Sequence, residues 1–331
     1  MNGYAMRKRG FYVHEGIVIR ASNGIYTVHS ENRLFHCTLR GNLKKQFQYT
    51  TSGSLSRRVV RVRKHPSKDV LSVGDRVLFT PTSNGSAVIE NVLPRTSRFT
   101  RQGFRGVEQT VVCNLDQLLI TFAYAEPNLD PWKLDRFLVA AEAEGLLPVI
   151  VANKYDLISS NPDAQGIFED WSKLGYLVIS VSVKQSIGID RLKEVLNGKV
   201  SAFVGPSGVG KSSILNAIIP GLKLKTSDIG YVTYKGKHTT TTAQLIPVNA
   251  TSWVADTPGL RQLDLLKLSP EELFDCFPEF EPYKGLCHFS NCRHLQEPGC
   301  ALKAAVETGA ISERRYRSYT LLTQEMDSIH S

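Results

Sequence analysis

Apolar and β-branched residues form five short runs in the first part of the chain: VHEGIVIR at 13–20, IYTVH at 25–29, LFHCTL at 34–39, RVLFT at 76–80 and SAVIENV at 86–92. Turn-forming residues bound each run, and short strands at this spacing predict a small β-barrel of the OB-fold type. From about residue 111 the texture changes. VVCNLDQLLITFA, LLPVIVAN, YLVISVSV and KVSAFVG read as buried strands, the first as one continuous run, with helical patterns such as DPWKLDRFLVAAEAEG and SSILNAIIP between them. TAQLIPV and TSWVADT continue the alternation, which predicts an α/β domain on a mainly parallel sheet. Strand-like runs stop near residue 265. Short helical segments follow, then a last helix from about Ser312 that places Tyr319, Leu322, Met326 and Ile329 on one inward face. Arg314, Arg315 and Arg317, near its start, read as solvated side chains or as phosphate contacts. The expected division is a barrel over 1–100, an α/β domain over 101–265 and a mostly α-helical domain over 266–331.

Composition narrows the class. The 331 residues are 42% hydrophobic and 21% charged, which excludes a mostly disordered chain. No run approaches the about 18 apolar residues of a membrane span. The first residues are basic but lack the apolar segment of a secretory signal, so the cytoplasm is expected, with a monomer as the simplest state.

Charge is uneven. Residues 1–105 hold 19 Lys and Arg against 5 Asp and Glu, while the remainder holds 21 against 26. Between the third and fourth barrel runs lie Lys44, Lys45, Arg57, Arg58, Arg61, Arg63, Lys64 and Lys68, with Asp69 as the single acid. Phe47 and Tyr49 in the same stretch are suited to stacking on bases. A basic front end points to a phosphate-rich partner, and the stretch itself reads as a loop that either grips nucleic acid or lies solvated.

The strongest chemical signal is Gly205, Pro206, Ser207, Gly208, Val209, Gly210, Lys211, Ser212 and Ser213, a G-x4-G-K-[ST] string between a strand and a helix. Its glycines let backbone N–H groups and a helix N-terminus surround phosphate, Lys211 reaches the β- and γ-phosphates, and the Ser212 hydroxyl is placed to ligate Mg²⁺. Asp256-Thr-Pro-Gly259, at a strand end, offers a second Mg²⁺ ligand in Asp256 and a γ-phosphate contact in the Gly259 N–H. The polar run 236–242 between them supplies switch threonines, of which Thr240 is the expected Mg²⁺ ligand. Asn153, Lys154, Tyr155 and Asp156 follow another strand. A carboxylate there accepts from guanine N1–H and the 2-amino group, whereas adenine offers the opposite pattern at N1. Ser182, Val183 and Lys184 are placed to meet guanine O6. Leu260 stands where many GTPases carry a water-orienting glutamine, so slow intrinsic hydrolysis is expected and His238 is the nearest substitute.

Cys287, Cys292, His294 and Cys300 supply three thiolates and an imidazole within fourteen residues, the donor set of a closed structural zinc site, with His288 as a competing fourth ligand.

Taken together, the order base-reading loops, phosphate loop, switches is that of a permuted GTPase. With a basic barrel before it and a Cys/His tail after it, the chain resembles the RsgA (YjeQ) family of circularly permuted GTPases over nearly its whole length. The resemblance implies an OB-fold, a circularly permuted P-loop GTPase domain and a C-terminal zinc-binding domain with Cys287, Cys292, His294 and Cys300 as the ligands. It further implies docking on the 30S ribosomal subunit and its 16S rRNA late in maturation, with GTP hydrolysis to GDP prompting release. A nucleotide-gated RNA-binding scaffold with incidental hydrolysis is the alternative that Leu260 keeps open. In this order the switch at 256–259 runs directly into the tail, so a γ-phosphate-dependent shift there acts on the tail as on a lever.

Overall fold

The computed structural model describes residues 6–8, 11–49, 59–64, 71–82, 85–102, 108–219, 221–222, 243–256 and 268–330. The chain divides into two compact units, one of residues 1–115, 198–200 and 236–259, the other of residues 116–197, 201–235 and 260–331.

The first unit begins with β1 (Met6–Lys8), β2 (Phe11–Ser22), β3 (Ile25–Ser30), β4 (Arg33–Leu39), β5 (Lys45–Tyr49), β6 (Val59–Lys64), β7 (Arg76–Pro81), β8 (Ala87–Val92), β9 (Arg98–Gln102) and β10 (Glu108–Cys113). Five of these close a barrel in the order β2-β3-β4-β8-β7, with β7 returning to β2. Every pairing is antiparallel except β4 with β8, the strand order of an OB-fold. These are the five runs read from the sequence. Val18, Val28, Cys37, Val77, Phe79 and Ile89 fill the interior. Gly16 is required by close approach: a Cβ there would stand 2.4 Å from Val28 Cγ1 and 2.8 Å from His29 O.

Two segments differ from their sequence reading. The basic stretch after β4 is not simply a loop. A 3₁₀ turn (Gly41–Lys44) leads into β5, which pairs antiparallel with β6, Lys45 opposite Lys64 and Gln48 opposite Arg61. The alternating KQFQY and VVRVRK have the strand period that the basic residues mask. The run 111–123 is broken rather than continuous. Asn114 sits at φ 54°, where its Oδ1 accepts from the Thr96 N–H at 2.8 Å and its Nδ2 donates to Gly74 O at 2.9 Å. Asparagine tolerates this left-handed conformation because its side chain bonds neighbouring backbone.

The second unit carries β11 (Gln117–Ala123), α1 (Pro131–Ala143), β12 (Leu147–Asn153), α2 (Pro162–Lys173), β13 (Leu177–Ser180), α3 (Ile189–Leu196), β14 (Val200–Val204) and α4 (Lys211–Ile218). Its sheet runs β13-β12-β11-β14, all parallel, and β11 is buried along its whole length. Next in the chain, β15 (Gln244–Pro247) and β16 (Trp253–Asp256) belong to the first unit as an antiparallel pair, and β15 also pairs with β2 at Gln244 and Arg20.

The tail returns to the second unit as α5 (Pro270–Asp275), a 3₁₀ helix (Pro278–Tyr283), α6 (Ala301–Glu307) and α7 (Glu313–His330). A capping box between Ser269 and Glu272 starts α5. The expected inward face of α7 holds where it is described: Tyr319, Leu322 and Met326 are buried, and Tyr319 meets Phe277 and Phe280 edge-on. Arg315 departs from its reading. It is buried, neither solvated nor free for phosphate, because Asp135 and Glu279 hold it.

Candidate functional site

In the second unit, β14 runs into the phosphate loop and α4 leaves it, so the loop sits at the carboxyl edge of a parallel sheet. Three of its glycines have left-handed φ: Gly205 at 130°, Gly208 at 80° and Gly210 at 96°. Two are also packed too closely for any side chain. A Cβ on Gly205 would stand 2.1 Å from Thr121 O, and one on Gly210 would stand 2.3 Å from Asn153 Nδ2. Lys211 is buried, its ammonium donating back to Gly205 O at 2.7 Å and to Pro206 O. Val209 is buried in the loop, while Ser207 and Gly208 are exposed and Ser213 is half-buried.

The base-reading residues gather against this loop. Asn153 ends β12, 3% exposed, and its Nδ2 donates to Val209 O at 2.7 Å, tying the two motifs together. Lys154 turns through φ 56° and donates to Glu126 O. Asp156 accepts from the Ser182 hydroxyl at 2.6 Å, and the Gln185 N–H donates to the same hydroxyl at 3.2 Å. Ser182 is buried, Val183 half-buried and Lys184 exposed. One carboxylate oxygen is thus held by the second loop while the other stays available for a purine edge. Tyr155 turns its ring toward Tyr124, 5.4 Å away. Tyr124 and Pro127, from the turn after β11, also adjoin the site, with Pro127 Cδ 3.7 Å from where a Gly208 Cβ would stand. Sequence reasoning passes over both, because a tyrosine ending an apolar run has no spacing signature.

The buried Ser212 hydroxyl has no hydrogen-bond partner among the described residues. An orphaned buried oxygen at this position fits a cation ligand, since leaving it unpaired costs free energy that coordination would return. Asp256 lies in the first unit, at the end of β16. Burial raises its pKa above the usual carboxylate range, opposed by Gln244 Nε2, which donates to it at 3.4 Å. Gln244 Oε1 in turn accepts from Arg20 at 2.9 Å. A carboxylate with so little hydrogen bonding fits a divalent cation. Within the second unit, Ser212 at the phosphate loop is the residue that would hold Mg²⁺, which when bound neutralises phosphate charge.

In the tail, the ligand atoms of Cys287, Cys292, His294 and Cys300 all lie within 4.8 Å of one another. His294 Nδ1 is 3.4 Å from both Cys287 Sγ and Cys300 Sγ, and those two sulfurs are 3.9 Å apart. A tetrahedron with bonds of ~2.3 Å has edges of ~3.8 Å, so the donor set fits zinc. His288 is not part of the cluster; its backbone N–H donates to Gly299 O at 3.0 Å and its ring packs at a right angle to that of Phe289. Burial pushes the Cys292 thiol up to about 12 and raises Cys300, while it lowers His294 against the opposing pull of Glu297. Zinc would reverse the thiol shifts by binding thiolates and would use the neutral imidazole that burial already favours. The ligand loop is braced from outside: Tyr316 donates to His294 O at 2.7 Å, and the Glu297 carboxylate accepts backbone N–H groups from Arg293, Leu295 and Gln296.

Some expected residues fall outside this geometry. Arg57, Arg58, His238, Thr240, Gly259 and Leu260 lie outside the described residues. Lys44 ends the 3₁₀ turn, Lys45 opens β5, and Arg61, Arg63 and Lys64 are on β6.

Comparison with known proteins decides the family. A profile described as RsgA GTPase matches residues 92–266. A relative in Gemmatimonas aurantiaca is 40% identical over 316 residues, covering 94% of this chain and 97% of its own. The chain belongs to the RsgA GTPase family. A second RsgA relative, from Moorella thermoacetica, is 39% identical with coverage of 94% and 97%. Both relatives are named small ribosomal subunit biogenesis GTPase RsgA. Among solved structures, YjeQ from Thermotoga maritima superposes with a TM-score of 0.76 at 36% identity, covering 95% of this chain and 98% of that one. YloQ, described as a circularly permuted GTPase, gives 0.72 at 26% identity with 98% of each chain covered. RsgA membership agrees with the motif order of this chain, in which the base-reading loops precede the phosphate loop. Among the described residues no helix is long and apolar enough to cross a membrane.

Proposed function

We propose that this chain hydrolyses GTP while docked on the small ribosomal subunit during its maturation, and that hydrolysis prompts its release. The observation that carries the nucleotide assignment is the bond from Asn153 to Val209, which joins a guanine-reading motif to a phosphate loop. The names of the RsgA relatives support the ribosomal role. We assign rRNA binding to residues 1–100 through Lys44, Lys45, Arg57, Arg58, Arg61, Arg63 and Lys64, nucleotide chemistry to 101–265 and a structural zinc to 266–331. The 16S rRNA is the partner that suits the basic barrel, and a cytoplasmic monomer is the simplest state for this role. Ser212, Thr240 and Asp256 hold Mg²⁺, the Gly259 N–H meets the γ-phosphate, and His238 orients the attacking water that Leu260 is unable to position.

GTP turnover measured with and without purified 30S subunits tests the reading, together with cosedimentation in GDP and in a non-hydrolysable GTP analogue. Stimulated turnover and tighter association with the analogue are expected. Leu260 favours a second reading, a nucleotide-gated scaffold with incidental hydrolysis. Unstimulated turnover with equal association in both nucleotides would select it. In the leading reading His238→Ala loses stimulated turnover while retaining GDP affinity.

A further inference from the structure

Tyr124 follows β11 directly and is 3% exposed. Its polar groups reach both base-reading loops. The backbone N–H donates to Asn153 O at 2.9 Å, at the start of the first loop. The hydroxyl shares a hydrogen bond of 2.8 Å with Ser180 Oγ, two residues before Ser182 in the second. Its carbonyl accepts from Asn161 Nδ2 at 3.0 Å, beyond the far end of the first loop. The ring packs on Phe168 at 4.9 Å and edge-on to Tyr155.

The second loop has little slack on its other side. Gly188, at φ 71°, approaches so closely that a Cβ would stand 2.1 Å from Ser180 O. The loops also meet each other, through Tyr155 N–H to Val181 O at 3.0 Å and Ser182 Oγ to Asp156. Packing against Phe168 and Tyr155 would be served by a phenylalanine. The hydroxyl adds a desolvation cost that its bond to Ser180 must offset, so its value lies in what that bond positions.

We propose that Tyr124 is a specificity-positioning residue: its hydroxyl pins Ser180, and through Ser182 it sets where the Asp156 carboxylate stands when a purine edge arrives. The proposal rests on Asp156 being the base-reading carboxylate. Guanine offers that carboxylate two donors, N1–H and the 2-amino group, and hypoxanthine offers N1–H alone. Two simultaneous bonds demand closer alignment than one. Loosening the second loop therefore weakens guanine nucleotides more than inosine nucleotides.

The test is calorimetric binding of GDP, IDP and ADP to the full-length, zinc-loaded chain. The wild type should prefer GDP to ADP; no such preference overturns the Asp156 assignment and the proposal with it. In Tyr124→Phe, loss of one hydrogen bond should weaken GDP about fivefold and IDP about twofold, contracting the ratio between them. Ser180→Ala should contract it equally, and the double variant no further, because both changes remove the same bond. With GDP-over-ADP preference intact, a GDP-to-IDP ratio unchanged in both single variants overturns the positioning role alone, whether the two affinities fall together or stay as they were.

Discussion

Asp156 keeps one oxygen on the Ser182 hydroxyl, and in the proposed reading the other oxygen selects the purine. Asp156→Asn puts an amide donor where guanine also presents donors. GDP affinity should fall by at least about 100-fold, and xanthosine diphosphate, with a carbonyl in place of the 2-amino group, should gain; competition against a fluorescent nucleotide measures both. At Gly210, φ 96° and the 2.3 Å approach of Asn153 Nδ2 act together. Gly210→Ala would push Asn153 off Val209 O as well as strain the backbone, so nucleotide binding should be lost and the thermal midpoint of the free protein should fall. These residues are legible in the sequence because each motif carries its chemistry in a fixed, short spacing. Tyr124 is not, since its partners Asn153 and Ser180 come from strands distant along the chain.

Helix α7 is held to the GTPase core by a buried charge network rather than by apolar contact alone. Asp135 of α1 accepts from Arg315 at 2.6 Å, Ser318 at 2.6 Å and Trp171 of α2 at 2.8 Å, while Arg315 also forks onto Glu279 at 2.6 and 3.1 Å. Arg314 lies over the Trp171 ring at 4.4 Å. Such a network is not a large source of net stability, but breaking it leaves uncompensated charge. Arg315→Met should destabilise by about 3–5 kcal/mol in urea unfolding, whereas an exposed pair such as Arg191 with Glu194 should matter by under ~1 kcal/mol. The sequence misleads here for a physical reason. A polar run at a helix start reads as solvent-facing, and the partner that buries Arg315 lies 180 residues earlier. Barrel strands, by contrast, are legible because period-two alternation is local. The β5–β6 hairpin is less so, because charge obscures its alternation.

Two measurements belong to the molecule as a whole. Metal analysis should find one zinc per chain, and Cys292→Ser should lose it and lower the thermal midpoint of the tail, because the metal ties together four side chains of the 287–300 segment. Replacing Arg61, Arg63 and Lys64 with Gln should lower the slope of log affinity for small subunits against log salt by about 2, at about 0.7–0.9 for each phosphate no longer neutralised. An unchanged slope would place the grip elsewhere on the barrel. Within the first unit, Gln244 of β15 stands opposite both Arg20 of β2 and Asp256 of β16, its amide oxygen toward the arginine and its nitrogen toward the carboxylate. Strands slip only by whole residues, and a slip of one would bring Leu245 into that row and turn the amide to the other face. The link from Arg20 through Gln244 to Asp256 therefore exists in this one register, and a slip would break both of its contacts together.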